Sequence, residues 1–290
     1  MRFSPISQRL ALLLTALVFT AGAQAHEEKK ITGLKMPESA IAAKDGRVFV
    51  SEIGEFGKDG DGQITVIEKN GNGHVYAKGL DDPKGLALIG KNLFVADNHR
   101  VLKITPDGQS QVFVAAEAFP EAPLFLNDLE SDSAGNLYVS DSGDLKGTGG
   151  AIYKISPQGK VTVVASGKQE LRVKAPNGLL MGKTANCIYE VDFASGILYR
   201  IDMKKGTFDE VAQGFGGGDG LVKVGKDQFY VSDWKNGKVF HVTLVKGSPA
   251  KVELVREGFA AAADIALSHD GKYLLVPDMK AGELVYLHIH

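Results

Sequence analysis

The segment NLYVSD, residues 136–141, is a short, largely apolar run that ends in a carboxylate. Runs of this kind, bounded by glycine and asparagine, are typical of β-strands. The pattern occurs six times along the chain, and we call its terminal acidic residues the anchor residues: Glu52, Asp97, Asp141, Asp192, Asp233 and Asp278. They recur every 41 to 51 residues. This regular spacing predicts a repeat protein with six units.

Each repeat contains further strand-like runs. A turn and a second run follow every anchor residue, for example AIYKISP at 151–157, and most repeats add a third run, such as KVTVVAS at 160–166. A unit of about 45 residues holds four short strands and their turns. This is the size of a propeller blade. The chain is therefore predicted to be all-β, a six-bladed β-propeller with four-stranded antiparallel blades.

The last repeat ends with ELVYLHIH, residues 283–290, and lacks a fourth run. The stretch KKITGLKMPE, residues 29–38, resembles the fourth runs of the other repeats. We therefore expect Lys30 to Lys35 to complete the last blade, which leaves no long strand edge unpaired. The predicted domain covers residues 26–290.

Residues 1–25 have the features of a secretory signal peptide. Arg2 and Arg9 precede and flank an apolar run at 11–19, and Ala23-Gln24-Ala25 provides a small-x-small cleavage site. A retained membrane anchor is the alternative, but the apolar run is short for spanning a bilayer. The expected location is the periplasm or the medium, with no membrane association after signal removal.

The composition excludes some classes of partner. The formal net charge is −2 and the chain has no basic block, so nucleic acid is not an expected partner. Cys187 is the only cysteine, which excludes an internal disulfide. We expect a monomer that acts on a small molecule.

A second set of residues lies 13 to 15 positions before the anchor residues and is called the ring here: Glu38, Lys84, Asn127, Asn177, Asp219 and Asp264. The first strand of a blade lines the central channel, so equivalent positions on it converge on the axis. Their carboxylate and amide oxygens suit Ca²⁺, and the lack of histidine and cysteine argues against Zn²⁺. Asp264 is the least regular member, since its segment ADIAL lacks the following glycine.

Each of these positions also has an ordinary interpretation. Asparagine or aspartate beside glycine is a common turn residue, but recurrence at one phase in five repeats favours a shared site. Serine or glycine after four ring positions would permit close approach of the inner strands. The anchor residues are interpreted differently, as acceptors of backbone hydrogen bonds without a chemical role.

Four short motifs contain ring residues in a fixed order: PES with Glu38, LND with Asn127, APNGL with Asn177 and GGDGL with Asp219. With these motifs the chain resembles the senescence-marker-protein/gluconolactonase family of six-bladed propellers and, more distantly, paraoxonases and strictosidine synthases. The resemblance implies that these four residues bind a divalent cation, usually calcium, with another divalent cation possible. It also implies hydrolysis of a lactone or related ester.

Two positions depart from that family pattern. Phe125 stands where gluconolactonase-type enzymes have an arginine that contacts the sugar, and Pro83-Lys84-Gly85 stands where paraoxonases have a Pro-His-Gly segment with a catalytic histidine. These departures count against a sugar-acid lactone as substrate and against a histidine base.

Asp219 and Lys84 are the candidate catalytic residues. The resemblance makes Asp219 the candidate base. Lys84 has three possible roles: pairing with Glu38, binding a substrate carboxylate, or acting as a base with a lowered pKa. The loop at 142–150 is a candidate lid or a longer hairpin, and Trp234 lies at the pocket mouth or packs internally.

Three functions are compatible with these features. The first is a calcium-dependent lactonase or esterase. The second is a binding module in which the ion only ties the blades together, and the third is a lyase or condensing enzyme on the same scaffold. The in-phase ring favours the first, and the missing arginine favours the other two over a strict gluconolactonase.

Overall fold

The computed structural model describes residues 29–289. Within this range, 24 strands form six four-stranded antiparallel sheets, which confirms the predicted propeller and its blade number. A single turn of 3-10 helix, Ala116–Ala118, lies between the second and third blades. No helix among residues 29–289 has the length and hydropathy needed to cross a bilayer. The predicted signal peptide lies outside the described residues.

The innermost strands contact each other around the axis; they are β2 (Pro37–Ala42), β6 (Pro83–Ile89), β10 (Leu126–Ser131), β14 (Pro176–Met181), β18 (Gly218–Lys223) and β22 (Ala266–Leu267). The second strands end at the anchor residues and are β3 (Val48–Glu52), β7 (Asn92–Asp97), β11 (Leu137–Asp141), β15 (Cys187–Asp192), β19 (Gln228–Asp233) and β23 (Tyr273–Asp278).

The third strands are β4 (Gly62–Ile67), β8 (Arg100–Ile104), β12 (Ala151–Ile155), β16 (Ile197–Asp202), β20 (Lys238–Thr243) and β24 (Glu283–His288). The outermost strands are β5 (Gly73–Leu80), β9 (Ser110–Val114), β13 (Val161–Ser166), β17 (Thr207–Gln213), β21 (Lys251–Glu257) and β1 (Lys29–Thr32). Blades 1 to 6 are numbered by the order of their innermost strands.

Strand β1 closes the ring of blades by pairing with β24 of blade 6, as predicted. The pairing runs from Lys29 to Thr32 rather than from Lys30 to Lys35. The strand stops at Thr32 because Gly33 has a positive φ of 81° and turns the chain. The backbone of Leu34 then donates to Gly282 O at 3.1 Å, which ties the turn to the same blade.

Six of the seven apolar clusters among residues 29–289 lie between neighbouring blades, one at each interface. Between blades 2 and 3, for example, Phe94 and Val101 pack with Leu126 and Tyr153. Equivalent clusters fill the other five interfaces. Blade-to-blade packing, rather than one central core, therefore supplies the burial that stabilises the fold.

All six anchor residues accept hydrogen bonds from backbone N–H groups of the segment that enters the inner strand, which confirms their structural interpretation. They are also almost fully buried. The N–O distances are 2.5 to 3.0 Å, and the donors are Lys35 for Glu52, Asp81 for Asp97, Leu124 and Phe125 for Asp141, Lys174 and Ala175 for Asp192, Gly217 for Asp233, and Ala260 and Ala261 for Asp278.

The inner strands bulge at the ring positions. In five blades the register shifts between the residue before the ring residue and the residue two places after it, as between Pro176 and Leu179. A bulge re-aims side chains locally. The small residues that follow are required by packing: a Cβ on Gly85, Gly178 or Gly220 would overlap the neighbouring inner strand.

In the part of the chain that the structure describes, one buried carboxyl group outside the ring has no hydrogen-bond partner. Glu190 lies in β15, where it pairs with Leu179 and Tyr199, and both of its carboxyl oxygens are buried and unpartnered. Burial raises its pKa well above the ordinary value of 4.5. The equivalent position in the other five blades is a fully buried valine: Val50, Val95, Val139, Val231 and Val276. Glu190 therefore destabilises an interface that is apolar elsewhere.

Replacing Glu190 with valine should stabilise the protein. We expect Glu190→Val to raise the free energy of unfolding by about 1–3 kcal/mol at neutral pH, because an unpartnered buried polar group is removed. Above pH 4.5 the unfolded state releases a proton that folded Glu190 retains, so the wild type should lose stability as pH rises towards the raised pKa. Urea unfolding from about pH 4 to about pH 8 measures both effects.

The matched control is Glu210→Val, which removes an exposed glutamate from the outer strand of the same blade. It should change stability by less than about 0.5 kcal/mol. Equal stabilities of wild type and Glu190→Val at every pH would contradict the assigned cost of the buried carboxyl.

Candidate active site

The structure brings five of the six ring residues together. Glu38, Lys84, Asn127, Asn177 and Asp219 line one cavity of about 460 Å³. The cavity lies on the propeller axis at the end where the anchor residues are. All five side chains are at least 96% removed from solvent, so they form the floor of the cavity rather than its rim.

Asp264 is not the sixth member of this ring, and its placement there was wrong. In the other five blades the anchor residue pairs with the residue directly before the ring position. In blade 6 the anchor residue Asp278 forms an isolated bridge with Ala262. The ring position of blade 6 is therefore Ala263. Asp264 lies one residue further along the channel, accepts a hydrogen bond from Ser39 Oγ at 2.5 Å, and lines a smaller cavity at the opposite end.

Three buried oxygen atoms on the cavity floor have no hydrogen-bond partner: Glu38 Oε2, Asn177 Oδ1 and Asp219 Oδ1. Within residues 29–289, the only other buried side-chain atoms in this state are the carboxyl oxygens of Glu190. Unpartnered buried acceptors are rare in folded proteins and call for an explanation. Here the three oxygen atoms come from different blades and face one cavity. Oxygen atoms grouped in this way are the ligands that a hard cation binds.

The electrostatics of the floor support the same interpretation. Burial, and then the charge of Asp219, raise the pKa of Glu38 well above its ordinary value. Burial, and then the charge of Asp264, raise the pKa of Asp219. Several buried carboxyl groups thus oppose one another's ionisation. A bound cation would reverse this balance by stabilising their charged forms.

Asn127 is oriented by a residue that the sequence analysis did not identify. Its amide Nδ2 donates to Ser142 Oγ at 3.0 Å, and Ser142 in turn donates to Pro176 O at 2.8 Å. With the nitrogen occupied, the amide oxygen of Asn127 is available as a ligand. Ser142 directly follows the anchor residue Asp141. This position recurs in every repeat, and the recurrence is the sequence feature that could have identified Ser142.

Lys84 is fully buried on the floor. Its Nζ donates to Asp82 O at 3.1 Å and lies 4.2 Å from the centroid of the Phe125 ring. No ion pair within 4.0 Å joins Lys84 to Glu38 in the described range, so direct pairing is not the role the structure supports. Burial lowers the pKa of Lys84, and the charge of Glu38 opposes this shift.

The walls above the floor are apolar, and most of them come from one recurrent position. The residue immediately after an anchor residue faces the cavity in four blades: Ile53, Phe193, Trp234 and Met279. Phe56, Phe125 and Leu145 are the other apolar wall residues, and Lys235 is the one charged residue above the floor among the described lining residues. The indole Nε1 of Trp234 donates to Met279 Sδ at 3.4 Å. Of these wall residues, the sequence analysis considered Trp234 for the pocket mouth, noted Phe125 at a substrate-contacting position of the family, and included Leu145 in a candidate lid.

The loop at 142–150 is held in shape by its own hydrogen bonds. Asp144 Oδ1 accepts from the backbone of Lys146, Gly147 and Thr148 at 2.8 to 3.0 Å. Leu145 has a positive φ of 60°, which is strained for a branched side chain. This conformation puts Leu145 in the cavity wall. The loop therefore contributes a fixed apolar group to the site.

Within residues 29–289, no group of three or more histidine, cysteine, aspartate or glutamate side chains has the arrangement of a metal site. The ring has only two such residues lining its cavity, Glu38 and Asp219, and its other oxygen donors are amides.

Comparison with proteins of known structure supports the fold. A virginiamycin B lyase from Staphylococcus aureus has a TM-score of 0.61 at 13% identity, with 91% of this chain and 99% of that chain covered. A chain of a nidogen/laminin complex also has a TM-score of 0.61, at 20% identity, with 75% of this chain and 80% of that chain covered. At these identities the likeness concerns the fold alone.

Sequence comparison identifies the family. The chain is 26% identical over 235 residues to strictosidine synthase-like protein 3 of Arabidopsis thaliana; the match covers 70% of this chain and 59% of the relative's length. The family model described as the SMP-30/gluconolactonase/LRE-like region matches residues 87–248, which is more than half of the chain. The protein thus belongs to the SMP-30/gluconolactonase/LRE-like family.

Proposed function

We propose that the protein hydrolyses a lactone or related ester at this cavity, with a divalent cation held by Glu38, Asn127, Asn177 and Asp219. Ca²⁺ suits this set of two carboxylates and two amides. The observation that carries the proposal is the convergence of three unpartnered buried oxygens from three blades on one cavity. Membership of a family that includes gluconolactonases agrees with it.

The reaction requires water to add to the acyl carbon, the ester C–O bond to break, and the leaving oxygen to take up a proton. When bound, the cation would supply electrostatic stabilisation of negative charge on the carbonyl oxygen. The residues of the chain must then orient the ester and move the proton. The apolar walls limit competing water around the floor.

Asp219 is the proposed proton acceptor. Its Oδ1 is buried, lines the cavity and has no hydrogen-bond partner, so it is free to accept from water or to bind the ion. The two uses compete, because a carboxylate that binds a cation is a weaker base. Asp219 therefore contributes charge in either case. A mutation can separate its role as base from its role in binding the ion.

Lys84 is proposed to bind the acyl or carboxylate end of the substrate. It is the one ammonium group on the floor of the cavity among the described residues, and the Phe125 ring stacked on it leaves N–H groups to donate. Burial lowers its pKa, so a role as proton acceptor is the alternative.

The alternative function is a propeller binding module with a structural calcium ion, in the periplasm or secreted. One observation favours it: the proposed ligands belong to blades 1, 3, 4 and 5, so an ion there would tie most of the propeller together. An assay of the purified protein on a panel of lactones and esters, with Ca²⁺ and with a chelator, separates the two functions.

Ca²⁺ should stabilise the folded protein. At about 100 times its Kd it should raise the free energy of unfolding by about 2.7 kcal/mol, and Glu38→Gln and Asp219→Asn should each reduce this gain by removing a charged ligand. Acidification should weaken binding, because protons compete for carboxyl groups whose pKa values are raised. Denaturant unfolding with Ca²⁺ or chelator is the measurement.

Glu190→Gln is the matched control, since it also replaces a buried carboxyl with an amide but lies outside the cavity lining. It should keep the full Ca²⁺ effect. If Glu38→Gln and Asp219→Asn also keep it, these residues do not hold the ion.

Asp219→Asn should lower kcat by about 100-fold or more at saturating Ca²⁺, as for loss of a general base. Adding Asn177→Asp to the Asp219→Asn variant should tighten ion binding without restoring turnover. Full lactonase activity in Asp219→Asn with Ca²⁺ bound would show that Asp219 is not the base.

Lys84→Met should raise KM more for acidic than for neutral substrates.

A further inference from the structure

The cavity combines two chemically distinct regions. Its floor consists of charged and amide side chains, whereas its walls contain three phenylalanines and a tryptophan together with Ile53, Leu145 and Met279. Among the described side chains that line the cavity above the floor, the only hydrogen-bonding groups are the ammonium of Lys235 and the indole N–H of Trp234, which is already donated to Met279. A ligand body that enters this space meets almost no side-chain partner for hydroxyl groups.

The aromatic walls are held in place by their own contacts. The Phe193 and Trp234 rings lie 6.2 Å apart and are tilted by 59°. Lys235 Nζ lies 4.3 Å from the Phe193 ring, and Lys280 Nζ lies 4.1 Å from the Trp234 ring. These contacts stabilise the observed positions of the Phe193 and Trp234 rings.

A cluster of small and apolar residues continues the wall next to Trp234. Ile53 and Met279 pack with Ala261 and Ala263, and Met36 and Trp234 contact this cluster. Ala263 occupies the ring position of blade 6, where a polar residue would have reached the cavity floor. This sector of the site is therefore apolar from the wall down to the axis.

We propose that the cavity selects a substrate whose body is apolar, an alkyl chain or an unsubstituted ring, and rejects polyhydroxylated sugar lactones. Phe125 and Trp234 are the specificity-determining residues. A volume of about 460 Å³ accommodates such a body together with the reacting ester. A sugar lactone would bury hydroxyl groups against apolar walls without partners. The inference rests on the proposed hydrolysis for the reacting end, but the binding preference is measurable without turnover.

Trp234 makes that measurement direct, because it is the only tryptophan of the chain and lines the cavity. Its fluorescence should respond saturably to γ-lactones with unbranched alkyl chains, in the presence of Ca²⁺. The affinity should rise by about fourfold for each added methylene until the chain fills the cavity. Glucono-δ-lactone should give no saturable change. Cyclic ethers with the same alkyl chains provide ligands that cannot be hydrolysed.

Phe125→Gln places a neutral hydrogen-bonding group in the wall. It should reduce the gain per methylene and allow binding of glucono-δ-lactone. Phe125→Leu keeps the wall apolar and should retain the preference, which separates loss of the phenyl ring from gain of polarity. Leu171→Gln is the control outside the cavity, since Leu171 is 85% exposed, and it should behave as wild type.

The outcomes distinguish this inference from the proposed function. Chain-length-dependent binding of apolar lactones without hydrolysis of any lactone would support the preference and refute the hydrolase. Binding of glucono-δ-lactone as tight as that of the alkyl lactones, or an affinity independent of chain length, would overturn the preference even if lactones are hydrolysed.

Discussion

The hydrogen bonds between each anchor carboxylate and the segment entering the inner strand are the interactions on which the site depends. Asp141 accepts from Leu124 and Phe125 at 3.0 and 2.8 Å, and the ring residue Asn127 follows two positions later. Blades 4 and 6 repeat this arrangement with two donors, and in blades 1, 2 and 5 one backbone N–H of the entering segment donates to the anchor. Because the anchor is buried, an apolar replacement would leave backbone N–H groups without partners. The anchors thus fix the height at which ring side chains meet the axis.

Buried carboxyl groups without partners occur in two settings in this propeller, and the setting decides their meaning. Glu190 is isolated at an interface that carries valine in every other blade, so its burial is only a cost to stability. Glu38 and Asp219 are equally buried, yet they share one cavity with two amides. Raised pKa values are found in both settings, so the convergence of the side chains, rather than the shift, identifies the site.

Family and fold leave the substrate open, because one scaffold supports many reactions. The features that bear on the substrate here belong to the walls and not to the ring. Phe125 stacks on Lys84 instead of providing a hydrogen-bond donor, and Leu145 adopts a strained backbone conformation in a loop that Asp144 holds closed. Such strain persists only where the surrounding structure maintains it, and here it adds one more apolar group to the cavity.

The sequence by itself determined the six blades, the closing strand, the role of the anchor residues and five of the six ring positions. These follow from local strand patterns and from regular spacing, both of which are visible along a chain. The tertiary structure decided the rest. A linear count assigned Asp264 to the ring, whereas the pairing of Asp278 with Ala262 puts Ala263 there. One residue of offset in a bulged strand changes which side chain reaches the cavity, and spacing cannot reveal it. The partner of Asn127 and the apolar walls likewise depend on which blades meet at the axis, because their contacts join residues that are distant in sequence.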